Sequence, residues 1–349
     1  MKNLLNMDYN EMKEEITKVL GCERYRADQI ADWIYDKKVL NFDGMTNLSK
    51  VHRRVLKENY SLEIPRLIEK RVSRRDGTVK FLWELEDGNM IESVLIFHPN
   101  RITACLSTQV GCPLKCRFCA TGMGGFVRNL KVHEIVGQVL GMEVENKVRI
   151  TNVVYMGMGE PLLNYENLMK SMRILIDKKL KGMSPRRITI STAGIVPKIY
   201  DLIGEDLDFV LSVSIHASDN EKRSYLMPIN DRYPLEELVQ AMKDYTTRTG
   251  RRVTVEYVLI ENLNDRRIDA ERLARLLSGM KVNVNLIPYN PNEFSNFRKP
   301  DELKVKKFAE ILRNRGIEAV VRVEKGSDIE AACGQLRLRR LKGKERSRI

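Results

Sequence analysis

From about residue 102 to residue 323 the chain alternates short β-branched runs with stretches of helical period, and this alternation admits few folds. Strands are expected at 102–107, 150–156, 187–191, 208–214, 253–259, 282–287 and 317–323. Helices fit between them at 131–146, 165–179, 195–203, 234–248, 268–279 and 301–315. A helix between successive strands returns the chain to the same end of the sheet, so the strands run parallel. Six or so such units are too few to close an eight-fold barrel. The expectation is an α/β fold with a partial (β/α)6 barrel, whose site lies at the carboxyl ends of its strands.

Two segments precede the barrel. Residues 8–59 have helical spacing: Met12, Ile16, Val19 and Leu20, then Ile30, Trp33 and Ile34, then Leu48, Val51, Val55 and Leu56. At 66–98 the period changes to two, with Val79, Phe81, Trp83 and Leu85 alternating with their neighbours. Asp76-Gly77 and Asp87-Gly88-Asn89 are hairpin turns, which gives a three-strand meander. The expected organisation is a helical module at 1–60, a β-meander connection at 61–98, a core barrel at 99–336 and a basic tail at 337–349.

The net charge of +13 favours a polyanionic partner, nucleic acid before membrane. No run of eighteen apolar residues exists to span a bilayer, and Met1-Lys-Asn-Leu-Leu-Asn-Met is too poor in apolar residues for a secretion signal. A cytoplasmic protein is expected. Arg24, Arg26, Lys37, Lys38, Lys50, Arg53, Arg54 and Lys57, with Arg74, Arg75, Arg128, Arg186 and Arg187 nearer the barrel, could hold phosphates. Each alone is more often a solvated surface charge.

Four of the six cysteines fall within fifteen residues, a metal-binding or redox pattern rather than a disulfide framework in a chain of this kind. Cys112-Pro-Leu-Lys-Cys116-Arg-Phe-Cys119 directly follows the first barrel strand. Three thiolates on one loop leave one iron of a four-iron cluster open to a further ligand. The competing reading is a zinc knot with Cys105 as fourth ligand. One unit later comes Tyr155-Met-Gly-Met-Gly159-Glu160-Pro161, whose glycines permit close backbone approach and whose glutamate could accept from an ammonium group. Ser191, Ser214-Ile215-His216 and Asn290 stand at later strand ends, where such residues are as often structural as functional.

CxxxCxxC after the first strand of such a barrel resembles the radical S-adenosylmethionine (SAM) superfamily, and Gly159-Glu160-Pro161 is similar to the superfamily segment that binds the cofactor's methionine amino group. Four further stretches narrow the resemblance: Ser107-Thr-Gln-Val-Gly-Cys112, Ala120-Thr-Gly-Met-Gly-Gly-Phe-Val-Arg-Asn-Leu130, Leu226-Met-Pro-Ile-Asn-Asp-Arg-Tyr-Pro234 and Ala331-Ala-Cys333-Gly-Gln-Leu336. Together they look like the RNA adenine-C2 methyltransferases that act on large-subunit ribosomal RNA and on transfer RNA. The resemblance runs from about residue 22 to 336, with Arg24-Tyr-Arg-Ala-Asp-Gln-Ile-Ala-Asp-Trp33 similar to that family's N-terminal module.

The resemblance implies one [4Fe–4S] cluster on Cys112, Cys116 and Cys119. It implies two molecules of SAM per turnover, bound through Gly159, Glu160, Ser191, Ser214, Ile215, His216 and Asn290. Cys333 then takes a methyl group from the first molecule, and a radical from the second abstracts hydrogen from that methyl. The resulting carbon radical adds to adenine C2, and Cys105 frees the product through a transient disulfide with Cys333. The alternative for Cys105 and Cys333 is a small buried hydrophobe, the better reading for Cys22. Cys333, however, sits in Ile329-Glu-Ala-Ala-Cys-Gly-Gln, a small-residue loop after the last strand that is expected to be mobile and close to the barrel mouth. Glu92 falls at the family's proton acceptor. Its face neighbours on the strand are Met90 and Val94, and a carboxylate among apolar residues acquires the raised pKa of a general base. An exposed strand carboxylate is the alternative.

The expected partners are ribosomal and transfer RNA and an electron-donor protein, with no membrane, and the expected state is a monomer. The rival readings are a ribosomal RNA adenine-C8 methyltransferase conferring antibiotic resistance, a radical enzyme acting on protein, and a zinc-bearing RNA-binding module.

Overall fold

The computed structural model describes residues 1–21 and 25–336. Cys22, Arg24 and the basic tail at 337–349 lie outside the described residues. The centre is a ten-stranded sheet. In chain order its strands are β1 (Arg66–Val72), β2 (Val79–Glu84), β3 (Met90–His98), β4 (Arg101–Cys105), β5 (Asn152–Tyr155), β6 (Ile188–Thr192), β7 (Val210–Ser214), β8 (Val253–Leu259), β9 (Val282–Pro288) and β10 (Glu318–Val321).

Strands β4 to β10 are parallel neighbours in sequence order. The helices Val132–Asn146, Tyr165–Ile176, Val196–Ile203, Leu235–Thr249, Arg267–Leu276 and Glu302–Asn314 carry the six crossovers between them. The alternation thus gives six βα units and a seventh closing strand. Side chains at or just beyond the carboxyl ends of β5 to β10 line one cavity, so the sheet curves around it as a partial barrel.

The meander β1–β3 continues antiparallel into β4, which makes it part of the barrel sheet. The period-two reading of β2 needs correction. All six residues of Val79–Glu84 are buried, the charged Lys80 and Glu84 included. One face, with Phe81 stacked on Trp83, packs against the helix Val132–Asn146, where a Cβ on Gly141 would lie 2.9 Å from the Trp83 ring. The other face carries Lys80 toward Glu92 and the segment after β10. A strand covered on both faces loses the alternation that one wet face produces.

The helix Val132–Asn146 is buried along its first twelve residues, as a helix apolar around its circumference should be. Ile135, Val139 and Met142 join the barrel core. Val132, Val136 and Leu140 join a second core made with the N-terminal helices Tyr9–Leu20, Tyr25–Ala31 and Lys50–Asn59. The N-terminal module is sealed further by a two-residue parallel pairing of Lys2–Asn3 with Tyr60–Ser61.

Candidate active site

Beyond Cys105, the strand Gln109–Gly111 pairs antiparallel with Phe126–Asn129, and the cysteine loop hangs between them. Gly111 has φ 75°, and a Cβ there would lie 2.0 Å from the Gly125 carbonyl oxygen, so only glycine closes this ribbon. The Cys112 amide donates to the Gly125 carbonyl at 2.7 Å, and the Cys119 amide donates to that of Cys116 at 3.1 Å. All three cysteines line the barrel cavity. Burial pushes the Cys112 thiol up to about 12 and raises the Cys116 thiol well above its ordinary value, with neighbouring thiolate charge adding to both. Cys112 and Cys116 thus ionise readily only with a compensating cation, which an iron cluster supplies. Among the described residues no three His, Cys, Asp or Glu side chains converge closely enough to share one ion.

After β5 two glycines bring neighbouring loops together. A Cβ on Gly157 would meet the Leu106 carbonyl oxygen at 2.6 Å; one on Gly159, at φ 99°, would meet the Gln109 side chain at 2.5 Å. The Gln109 side chain accepts from the Glu160 amide at 2.9 Å. Glu160 is 3% exposed. Its carboxylate accepts from the Ala193 amide at 2.7 Å and the Leu162 amide at 3.1 Å, and it faces the cavity. Burial pushes its carboxyl up to about 7 against these hydrogen bonds. A bound ammonium group would favour the ionised form.

The later strand ends complete the wall. Ser191, Ser214, His216 and Asn290 line the cavity. Ile215 does not: its side chain lies in the barrel core and its amide donates to the Glu256 carbonyl at 3.1 Å, so any contact of Ile215 with a ligand would come through its backbone. His216 has φ 58°, and its Nδ1 accepts from the Val258 amide at 3.0 Å, which places the ring proton on Nε2. Burial, with Arg223 nearby, holds it neutral at about 3. Asn290 donates to the Cys333 carbonyl at 3.1 Å, while its buried Oδ1 has no partner among the described residues. That orphan acceptor, the glycine cradle and the thiol loop fit an iron cluster with an amino- and adenine-bearing ligand.

Cys105 ends β4 and is buried, while Cys333 is exposed at the cavity; both are free thiols. Surrounding protein raises both thiols, Cys105 further through the charge of Cys333 and Cys333 further through that of Glu256, and Arg322 opposes the rise at each. The two sulfurs therefore lie within electrostatic reach of one another. Glu92 departs from the expected apolar setting. It is 1% exposed, does not line the cavity, and pairs with Lys80 Nζ at 3.1 Å. Lys80 also donates to the Glu330 carbonyl at 2.8 Å, three residues before Cys333. Arg128, a candidate for phosphate contact, is instead occupied by Glu134 through two hydrogen bonds and by Asp87.

Several residues around the site escaped the sequence reading, among them Lys80, Glu256, Arg322 and the fully buried Arg223, whose guanidinium donates to the Ala193 and Ser214 carbonyls at 2.7 and 3.4 Å; Gln109 stood in a quoted motif but without a role. Arg223 lies three residues before the Leu226–Pro234 motif, the one local signal for it.

Comparison with known proteins agrees with this geometry. Residues 106–277 match the model of the radical SAM superfamily, and residues 2–62 match that of the ribosomal RNA large subunit methyltransferase N-terminal domain. The chain is 60% identical over 344 residues to the probable dual-specificity RNA methyltransferase RlmN of Thermotoga maritima, covering 99% of this chain and 100% of that one. It is 50% identical over 341 residues to the protein of the same name from Petrotoga mobilis, covering 98% of each. The crystal structure of a radical SAM methyltransferase from Sphaerobacter thermophilus superposes with a TM-score of 0.92 at 45% identity, covering 97% of this chain and 99% of that one. Thiol loop, glycine cradle and full-length identity agree, and the chain belongs to the RlmN family of radical SAM RNA methyltransferases.

Proposed function

We propose that this chain methylates C2 of adenine in large-subunit ribosomal RNA and in transfer RNA, with Cys333 as the methyl carrier. The observation that carries the reading is the pair of free thiols outside the thiol loop: buried Cys105 at the end of β4, and exposed Cys333 on the segment after β10. An adenine C2 is a poor nucleophile, so polar attack on a sulfonium methyl fails there and carbon-radical chemistry is required. Cys112, Cys116 and Cys119 would hold the cluster, and Glu160, Ser191, Ser214, His216 and Asn290 would line the SAM site. The cluster and SAM together supply one-electron cleavage of a sulfonium and so a radical able to abstract hydrogen.

The protein's own residues do the rest. The Cys333 thiolate attacks the methyl carbon of one SAM, the S–CH3 bond of the sulfonium breaks, S-adenosylhomocysteine leaves, and the methyl is held as a thioether at the cavity. Once the methyl-derived carbon is joined to adenine C2, the radical adduct would give up its one unpaired electron to the bound cluster, Glu92 would take the C2 proton and the Cys105 thiolate would attack the Cys333 sulfur. The S–C bond breaks, an S–S bond forms, and the methylated base leaves with a proton on the new methyl group. The enzyme acts as a monomer and draws electrons from a donor protein, which also returns the disulfide to two thiols.

Nucleoside mass spectrometry tests this. The anaerobically reconstituted protein is incubated with SAM, a reductant and unmodified transfer RNA or large-subunit RNA. A 2-methyladenosine peak, lost in Cys333→Ala, supports the reading. An 8-methyladenosine peak would replace C2 by C8. No methylated adenosine despite cofactor cleavage would refute the RNA assignment.

A further inference from the structure

A second cavity adjoins the first and shares Ile287, Asn290, Arg322 and Cys333 with it. It lies between the β3–β4 hairpin and the segments beyond β9 and β10. Ile96, Val321 and Val323 give it apolar surface. Its cations come from three separate segments: Arg101 on β4, Lys299 before the last crossover helix, and Arg322 and Lys325 after β10. One acid, Glu324, stands among them and pairs with Lys299 at 2.9 Å. The other three cations have no ion-pair partner among the described residues, and Arg101 and Arg322 are exposed. His98 stands in their field. Burial first, then the charges of Arg101, Lys325 and Arg322, push its imidazole below the ordinary value, so the ring is neutral.

Two facts give this cavity a direction. A methyl carrier must face its donor on one side and its acceptor on the other, and Cys333 stands on the boundary between the thiol-lined cavity and this one. A cavity with apolar walls, a neutral imidazole and unpaired cations also matches the parts of a nucleotide in RNA: a flat base with a phosphate on each side. Resting on the function proposed above, we propose that the second cavity receives the target nucleotide of the RNA, with Arg101, Arg322 and Lys325 holding its flanking phosphates and the base reaching Cys333 from the side away from the cluster.

The test measures binding of the reconstituted holoenzyme to an unmodified transfer RNA transcript across a salt series. The double variant Arg101→Ala/Lys325→Ala is compared with the charge-matched Lys306→Ala/Lys307→Ala on the outer helix Glu302–Asn314. Loss of two phosphate contacts should flatten the slope of log affinity against log salt by about 1.4, since each contact to single-stranded nucleic acid contributes about 0.7. The control should keep the parental slope. Methyl transfer to Cys333, read as the mass of one added methyl on the intact protein, should proceed in both variants, which shows the fold and the SAM site intact. An unchanged slope in the cavity variant, or an equal change in the control, would overturn the inference. So would binding of free adenosine monophosphate as tight as that of the transcript, which would assign the cavity to a free nucleotide. A parent protein with no affinity for RNA fails the proposed function itself, a result distinct from the other two.

Discussion

Glu160→Gln separates the electrostatic cost of the proposed SAM site from its use. The Glu160 carboxyl is moved from an ordinary 4.5 to about 7 by burial. A carboxyl whose folded pKa lies above its unfolded one binds its proton more tightly when folded. Its contribution to stability is therefore complete below about 4.5 and is lost as pH rises through about 7. Integrated between those values, the cost at high pH is about 3 kcal/mol, of which about 2.5 kcal/mol develops between pH 5 and pH 8. A glutamine carries no such linkage. It can still accept from one of the Ala193 and Leu162 amides, but its own amide group opposes the other, a pH-independent loss of about 1–2 kcal/mol. In urea denaturation of the cluster-free, reduced protein, the variant should be the less stable at pH 5. By pH 8 it should have gained about 2.5 kcal/mol relative to the parent. Its affinity for SAM should fall at the same time, because the ammonium group loses its counter-charge. Stability curves that stay parallel from pH 5 to pH 8 would refute the view that this carboxylate is held ionised at the protein's expense.

The remaining predictions concern cluster, cradle and docking. Cys116→Ala should take the iron content of the reconstituted protein from about four per chain to a small remainder and bleach its visible absorption, measured by metal analysis. Gly159→Ala should abolish SAM binding in equilibrium dialysis, since φ 99° and a 2.5 Å approach to Gln109 both oppose it. Gly77→Ala, at φ 71° with open space around it, should cost only about 1 kcal/mol in denaturation. Lys181 pairs with Glu143 at 2.7 Å, both buried, and Glu143 also accepts from the Ile150 amide. Lys181→Met should therefore cost about 3–5 kcal/mol, and adding Glu143→Gln, which keeps an acceptor for Ile150, should restore much of that.

The parallel strands and their helices were legible because each repeats a strong local signal, apolar runs of strand length and then a 3.6 period. β8 falls where that signal puts it, at Val253–Leu259. The thiol loop was legible because three chemically distinctive residues lie within eight positions. Lys80 was not. On a strand read as half-wet, period two assigns it to solvent, and its partners Glu92 and Glu330 lie twelve and 250 residues away. The ribbon of Gln109–Gly111 with Phe126–Asn129 is three to four residues a side, too short for any periodicity, and its glycine is explained by a contact fourteen residues on. Arg322 belongs to neither motif, and its reach into two cavities follows from where β10 ends.

The segment bearing Cys333 shows why the meander belongs to the active site. Upstream, the Gly326 amide donates to Asp76 at 2.9 Å, and Asp328 accepts from the Ser73 hydroxyl at 2.7 Å and the Arg74 amide at 3.1 Å. These anchors lie in the β1–β2 turn. Downstream, the Gly334 carbonyl accepts from the Ala120 amide at 2.8 Å, one residue after the last cysteine of the thiol loop. Cys333 thus hangs between the meander and the thiol loop, with Asn290 on its carbonyl as a third tether. Gly326, Glu330 and Gly334 all have left-handed backbones, so each bend between the tethers is local. The proposed role of Cys333 as methyl carrier requires it to change partners between donor, base and Cys105 while holding the reacting atoms in line. Cys333 stands beside the downstream tether with its carbonyl held, so its side chain can turn while its backbone stays registered against the β1–β2 turn and the thiol loop.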